Sequence, residues 1–210
     1  MYIEFRNVCK NFKKEEVLKD ISFGLEQSKI YGFVGRNGSG KTVIFKMITG
    51  LLLPTSGEIF VNGVNIAKSK KFSSDIGVLI ETPGFIGHYT GLKNLQILND
   101  MSQKKVSTDT IKSVIKLVGL DPDSKKKVKT YSLGMKQKLG IAQSIMNKPN
   151  LLVLDEPMNG LDEASVEKMR DFFINLKNEG TTILLASHNQ QDIEVLCDQI
   201  FYIKDGKVQN

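Results

Sequence analysis

An α/β fold is predicted by three features of the sequence. An apolar run at residues 30–34 stops at a glycine-rich turn, further continuous apolar runs occupy 151–154 and 182–186, and alternating segments lie near the N-terminus. Continuous apolarity over four or five residues reads as a strand buried on both faces, the habit of a parallel sheet. Segments 2–8 and 17–25 alternate, or nearly so, and predict an antiparallel layer. Residues 57–61 extend that layer into Asn62-Gly63, a strong hairpin signal between apolar runs. The core then alternates strand and helix through the run ending at Ile80, the run ending at Asp155, a helix over 164–177 and the strand 182–186. Between 92 and 146 the pattern turns helical, with Ile111, Val114, Ile115 and Val118 at helix spacing. That region, about 91–146, is predicted as a helical subdomain. Strands 199–203 and 207–209 turn at Asp205-Gly206, and residues 1–210 read as one domain without internal repeats.

The glycine-rich turn carries the most chemistry. Residues 35–42 read Gly35-Arg36-Asn37-Gly38-Ser39-Gly40-Lys41-Thr42, directly after a strand and at the start of a helix over 41–48. Glycines let the backbone coil so that successive N–H groups converge on a phosphate, and the helix aims its positive end at the same charge. Lys41 supplies a point charge for the β- and γ-phosphates, and Thr42 offers a hydroxyl to Mg²⁺. The setting implies a bound nucleoside triphosphate.

The run Leu151-Leu152-Val153-Leu154 ends in Asp155-Glu156. At the carboxyl end of a buried strand, Asp155 is placed to orient Mg²⁺ through its water shell. Glu156 is placed to take the proton of an attacking water.

A third element opens at Tyr131-Ser132-Leu133-Gly134-Met135-Lys136-Gln137-Lys138-Leu139, a helix start with Ser132 as N-cap and Gly134 leaving room for close approach to a ligand. A helix start of this kind is another anion site, and a second one is superfluous within a single nucleotide pocket. It is therefore expected to face the nucleotide of another subunit. Here the chain resembles the nucleotide-binding cassette of ABC transporters, whose signature usually reads Leu-Ser-Gly-Gly-Gln. The resemblance covers nearly the whole chain, with motifs in the family's order. It implies a P-loop NTPase core with an antiparallel β subdomain and a helical signature subdomain. Phe12 matches the aromatic that stacks on adenine, and Asn159-Gly160-Leu161-Asp162 matches the loop that crosses a dimer interface. Ser187-His188 matches the switch histidine that senses the γ-phosphate. The resemblance further implies ATP and Mg²⁺ as ligands and closure of two copies head to tail. Each ATP is then held by Gly35, Asn37, Gly38, Ser39, Gly40, Lys41 and Thr42 of one copy and by Ser132 and Gly134 of the other. Water activated at Glu156 attacks, His188 hydrogen-bonds the γ-phosphate, and Asp162 links the two sites.

Two departures from the family pattern stand out. Where the family carries glutamine, after Ile76-Gly77-Val78-Leu79-Ile80, this chain has Glu81. A carboxylate ligates Mg²⁺ more strongly than an amide and adds negative charge near the γ-phosphate. The signature also has Leu133 for the usual first glycine and Met135 for glutamine. Together, Ile80-Glu81-Thr82-Pro83-Gly84-Phe85 and Ser132-Leu133-Gly134-Met135-Lys136-Gln137 look like the bacitracin and lantibiotic export or immunity branch. In that setting Thr82-Pro83-Gly84-Phe85, stiff at proline and flexible at glycine, is expected to receive a helix of a membrane subunit.

Composition fits such an engine. No apolar run approaches the roughly 20 residues that span a bilayer, and Met1-Tyr2-Ile3-Glu4-Phe5-Arg6 lacks a signal-peptide layout. Membrane passage is expected from a separate polytopic subunit, with this chain peripheral on the cytoplasmic face. Cys9 and Cys197 are solitary, which suits a reducing compartment. There are 29 Lys and Arg against 23 Asp and Glu, a net charge of +6. The clusters Lys68-Ser69-Lys70-Lys71 and Lys125-Lys126-Lys127-Val128-Lys129 lack interleaved aromatics, so they read as solvated loops, with anionic headgroups a weaker alternative and no nucleic acid expected. Three rival functions remain: an importer cassette, a soluble ABC ATPase, and a GTPase. DNA-repair ATPases of this chemistry carry a large insertion, and ribosome-associated ones carry two cassettes. A GTPase would need aspartate where Asn147-Lys148-Pro149-Asn150 ends in Asn150.

Overall fold

The computed structural model describes residues 1–13, 15–69 and 75–209. Their strands form two sheets. The first is antiparallel, built from β1 (Ile3–Phe12), β2 (Glu15–Leu25), β4 (Ser56–Val61) and β5 (Val64–Asn65) in the order β2-β1-β4-β5. The second runs β10-β9-β3-β8-β7-β6, from β3 (Ile30–Val34), β6 (Ile76–Leu79), β7 (Leu151–Asp155), β8 (Thr182–Ala186), β9 (Gln199–Lys204) and β10 (Lys207–Gln209). Its strands are parallel except β10, which pairs antiparallel with β9.

Continuous apolar runs became the central strands for the reason anticipated. β3, β7 and β8 are covered on both faces, and successive residues of β7 serve different cores. Leu152 and Leu154 pack with the helical region, whereas Leu151 and Val153 pack with the antiparallel layer and helix α1 (Lys41–Ile48). The antiparallel layer differs from the expected segments. β1 continues past Val8 to Phe12 through irregularities in its pairing, and Asn7 and Asp20 there adopt left-handed backbone. Bulges of this kind break the two-residue alternation that a sequence reading follows.

The helical region contains α2 (Gly91–Met101), α3 (Thr108–Leu117), a 3-10 turn at Val128–Thr130 and α4 (Leu133–Ile145). Ile111 and Ile115 of α3 are buried against Leu139 and Ile141–Ala142 of α4 in a single core. Two further helices flank the sheet, α5 (Glu163–Asn178) and α6 (Gln190–Leu196). Side chains cap five helices: Thr90 for α2, Ser107 for α3, Ser132 for α4, Asp162 for α5 and Asn189 for α6. Helix α1 begins instead at Gly40, with φ 109° and no side-chain cap. Its first N–H groups are thus left for a ligand.

Candidate functional site

The carboxyl ends of β3 and β7, with the turn after β8, frame a cleft of about 720 Å³. Lys41, Thr42, Glu81, Asp155, Glu156 and His188 all line it, so the structure brings together the predicted phosphate loop, acidic pair and switch histidine. The loop is held open by its glycines. Gly38 and Gly40 have positive φ, and a Cβ at Gly40 would sit 2.6 Å from Leu18 Cδ2. The Lys41 ammonium folds back and donates to the carbonyls of Gly35 and Arg36 at 2.6 and 3.2 Å. It is a charge parked on carbonyls of the loop's own backbone.

Thr42 Oγ1 donates to Asp155 Oδ2 at 2.6 Å, joining the first turn of α1 to the end of β7. A hydroxyl and a carboxylate side by side are hard oxygen donors, and they fit Mg²⁺ as two members of its coordination sphere. Among the described residues no three His, Cys, Asp or Glu side chains gather around one point. An ion here would complete its shell from phosphate and water, the habit of Mg²⁺.

Glu156 adopts left-handed backbone, φ 51°, which turns its side chain from the strand into the cleft. Its Oε2 accepts the His188 backbone N–H at 3.2 Å, and Oε1 lies 3.4 Å from His188 Nε2. Oε1 is buried and makes no hydrogen bond within the chain. Burial pushes the Glu156 carboxyl above the usual carboxylate range, opposed by the His188 N–H. Across the cleft, His188 Nε2 is 2.9 Å from Asn37 Oδ1. An amide oxygen only accepts, so this contact selects the Nε2–H tautomer. Glu81, also at positive φ, pairs through Oε1 with the Lys46 ammonium of α1 at 2.7 Å.

The remaining predicted residues lie elsewhere. Ser132 accepts the Met135 N–H at 3.2 Å as the predicted N-cap, and Leu133 beside it is 63% exposed at the mouth of the cleft. The space left by Gly134 is filled rather than open: a Cβ there would lie 2.4 Å from the Gly160 carbonyl oxygen. Asp162 accepts from the Ser165 hydroxyl and N–H, which hold its carboxyl low, at about 2, with a smaller contribution from its pairing with Lys138. Phe12 ends β1 outside the cleft, half-exposed, with the Lys10 ammonium 5.0 Å from its ring centroid. Three contacts had no motif to announce them. Gln137 donates its amide to the carbonyls of Glu156 and Pro157 at 2.9 and 3.1 Å, clasping α4 to the acidic turn. Asn94 bonds both backbone groups of Ile86, ordering the segment after Glu81. Phe85 is correspondingly half-buried against the helical core, leaving Ile86 as the exposed apolar group. The third is Lys46 on Glu81.

A family model described as "ABC transporter" matches residues 18–159. The chain belongs to the ABC transporter family. It is 41% identical to the bacitracin transport ATP-binding protein BcrA of Enterococcus faecalis, over 97% of this chain and 67% of that protein. It is 37% identical to the lantibiotic transport ATP-binding protein SrtF of Streptococcus pyogenes, over 98% and 88%. An ATP-binding cassette solved as a dimer in a post-hydrolysis state with ADP and phosphate superimposes with a TM-score of 0.91 at 21% identity, covering 99% of this chain and 97% of that one. At that identity the likeness carries the fold alone. ABC ATP-binding proteins work with membrane subunits, and no helix among the described residues is long and apolar enough to cross a membrane.

Proposed function

We propose that this ABC ATP-binding chain hydrolyses ATP to drive a membrane exporter of a peptide antibiotic or similar amphipathic substrate. The convergence of Lys41, the Thr42–Asp155 pair, Glu156 and His188 on one cleft carries the reading. Likeness to transport proteins named for bacitracin and lantibiotics supports the substrate class.

In this reading residues 1–210 are one ATP-binding domain, with a helical subdomain at about 91–146. The uncapped start of α1 and the glycine loop bind the phosphates. Lys41 leaves the Gly35 and Arg36 carbonyls for the β- and γ-phosphates. Mg²⁺, when bound, neutralises phosphate charge, held by Thr42 and Asp155 with Glu81 close by. Glu156 accepts the proton of the attacking water, a role that its burial-raised proton affinity suits. His188 exchanges Asn37 for the γ-phosphate. Phe12 offers its ring to adenine. Ser132, Gly134 and Asp162 do not line their own chain's cleft, which fits a role at the ATP of a second copy packed head to tail. The segment around Ile86, ordered by Asn94, docks a cytoplasmic helix of the membrane subunit, keeping the chain peripheral on that membrane face.

The test has three parts. Purified Glu156→Gln with Mg-ATP should run as a dimer and without nucleotide as a monomer. Tagged chain from detergent-solubilised cells should bring down a polytopic membrane protein, and cells lacking the chain should become more sensitive to a peptide antibiotic. Recovery of ribosomes or DNA-repair proteins instead would move the assignment to a soluble ATPase.

A further inference from the structure

Behind the cleft lies a buried ion pair that none of the motifs uses. Asp192 of α6 is completely buried, and Arg170 of α5 is 9% exposed. Arg170 Nε and Nη2 both donate to Asp192 Oδ1, the first at 2.9 Å. The other oxygen, Oδ2, accepts the hydroxyl of Ser187 at 3.1 Å, and Ser187 Oγ in turn accepts the Asn189 backbone N–H at 3.1 Å. His188 sits between those two residues. Its neighbours on both sides are thus tied to one fixed carboxylate, while its own imidazole stands in the cleft and its own N–H is held by Glu156.

A buried salt bridge is a poor source of stability, because desolvation of both ions offsets their attraction. Here three of the carboxylate's roughly four acceptor positions are filled. Two contacts come from Arg170 and one from Ser187, a geometry that fixes direction as well as charge. β8 ends at Ala186, whose carbonyl accepts the Glu156 N–H at 2.9 Å. The turn at Ser187 is therefore pinned to the base on one side and to α5 on the other. Helix α5 starts at the Asp162 cap, two turns before Arg170.

We infer that Arg170, Asp192 and Ser187 form a positioning relay that sets where the His188 imidazole stands relative to Glu156 and the phosphate loop. None of these three residues lines the cleft, so they act through His188. The inference rests on the proposed role of His188 for its effect on turnover, but its structural half can be read without any turnover.

Ser187→Ala is the informative change, because it unhooks the turn while leaving the Arg170–Asp192 pair intact. Arg170→Ala or Asp192→Ala would strand a buried charge and risk unfolding. The chain has two histidines, so the imidazole Cε1–H resonances in an NMR spectrum are His88 and His188, and His188→Ala assigns them. In Ser187→Ala the His188 resonance should shift or broaden while that of His88 stays put. ATP affinity should remain within about twofold and kcat should fall roughly tenfold at unchanged KM, with Ser187→Thr restoring much of it. In a His188→Ala background, Ser187→Ala should lower kcat no further. An unmoved His188 resonance in Ser187→Ala overturns the relay, as does an equal kcat loss in both backgrounds, which would mark a merely structural role. A moved resonance together with a His188→Ala chain that turns over normally would uphold the positioning and remove His188 from the proposed chemistry.

Discussion

The ammonium of Lys46 lies 2.7 Å from Glu81 Oε1, so the carboxylate that replaces the family's glutamine enters the cleft already paired with the helix that follows the phosphate loop. Lys46 and Lys41 stand about 140° apart round α1, and the two cations divide the work: one is parked on backbone carbonyls, the other on Glu81. The negative charge expected beside the γ-phosphate thus has a cationic partner in the same chain. The pair is solvent-accessible, so its contribution to stability is small, under about 1 kcal/mol.

On the proposed role of Glu81 at the metal, Lys46→Met removes the carboxylate's competing partner. We expect the Mg²⁺ concentration for half-maximal ATPase to fall in Lys46→Met and to rise in Glu81→Gln, with melting temperatures close to that of the parent chain. A metal titration of ATPase at fixed ATP measures it, and identical curves for all three chains would remove Glu81 from the metal site.

Glu156→Gln should lower kcat by about 10²–10⁴-fold, the range of a general base, while ATP binding persists. The pH dependence has a definite sign. A base whose proton affinity is raised by burial is lost at a higher pH than an ordinary carboxylate as acidity increases, so the acid limb of kcat should lie above the usual carboxylate range. Stability runs the other way. The unfolded chain loses this proton at the ordinary value and the folded chain at a higher one, so ionisation costs the folded state as pH rises through that interval. Nucleotide-free Glu156→Gln should therefore melt higher than the parent at neutral pH and converge with it in acid, as seen by thermal denaturation across pH.

Gly134→Ala places a methyl group 2.4 Å from the Gly160 carbonyl oxygen, a contact with backbone that a rotamer change cannot relieve. The signature turn and the 159–162 loop must part. We expect a stability loss of about 1–3 kcal/mol and failure of ATP-driven dimerisation, measured by denaturant melts and light scattering. A dimer of parental stability would show that these two loops need not touch.

Phe12→Ala should weaken ATP binding about 5–150-fold, the worth of one base stacked on an aromatic ring, and leave the hydrolysis rate at saturating ATP nearly unchanged. Fluorescent-nucleotide titration distinguishes this from a ring that merely shelters the Lys10 stem.

What could be read along the chain was chemistry compressed into short segments. The phosphate loop announces itself because strand, glycines, Lys41 and Thr42 are contiguous, and β7 and β8 because burial on both faces admits only apolar residues. Pairings between distant segments left no such trace. Lys46 meets Glu81, Gln137 meets two carbonyls of the acidic turn, and Arg170 meets Asp192, each across tertiary packing that no local period encodes. The extension of β1 was hidden by bulges, and β5 and α6 were too short to register as elements. Of the lysine clusters, Lys68 pairs with Glu58 and Lys125–Lys127 lie exposed in a loop, whereas Lys70 and Lys71 lie outside the described residues.

Gln137 ties the start of α4 to the backbone of the very residue proposed to activate water. In the proposed head-to-tail pair, the signature at the start of α4 and the Glu156 carboxylate would meet different ATP molecules. The Gln137 amide would then be a direct side-chain link, inside one chain, between the parts that serve the two sites.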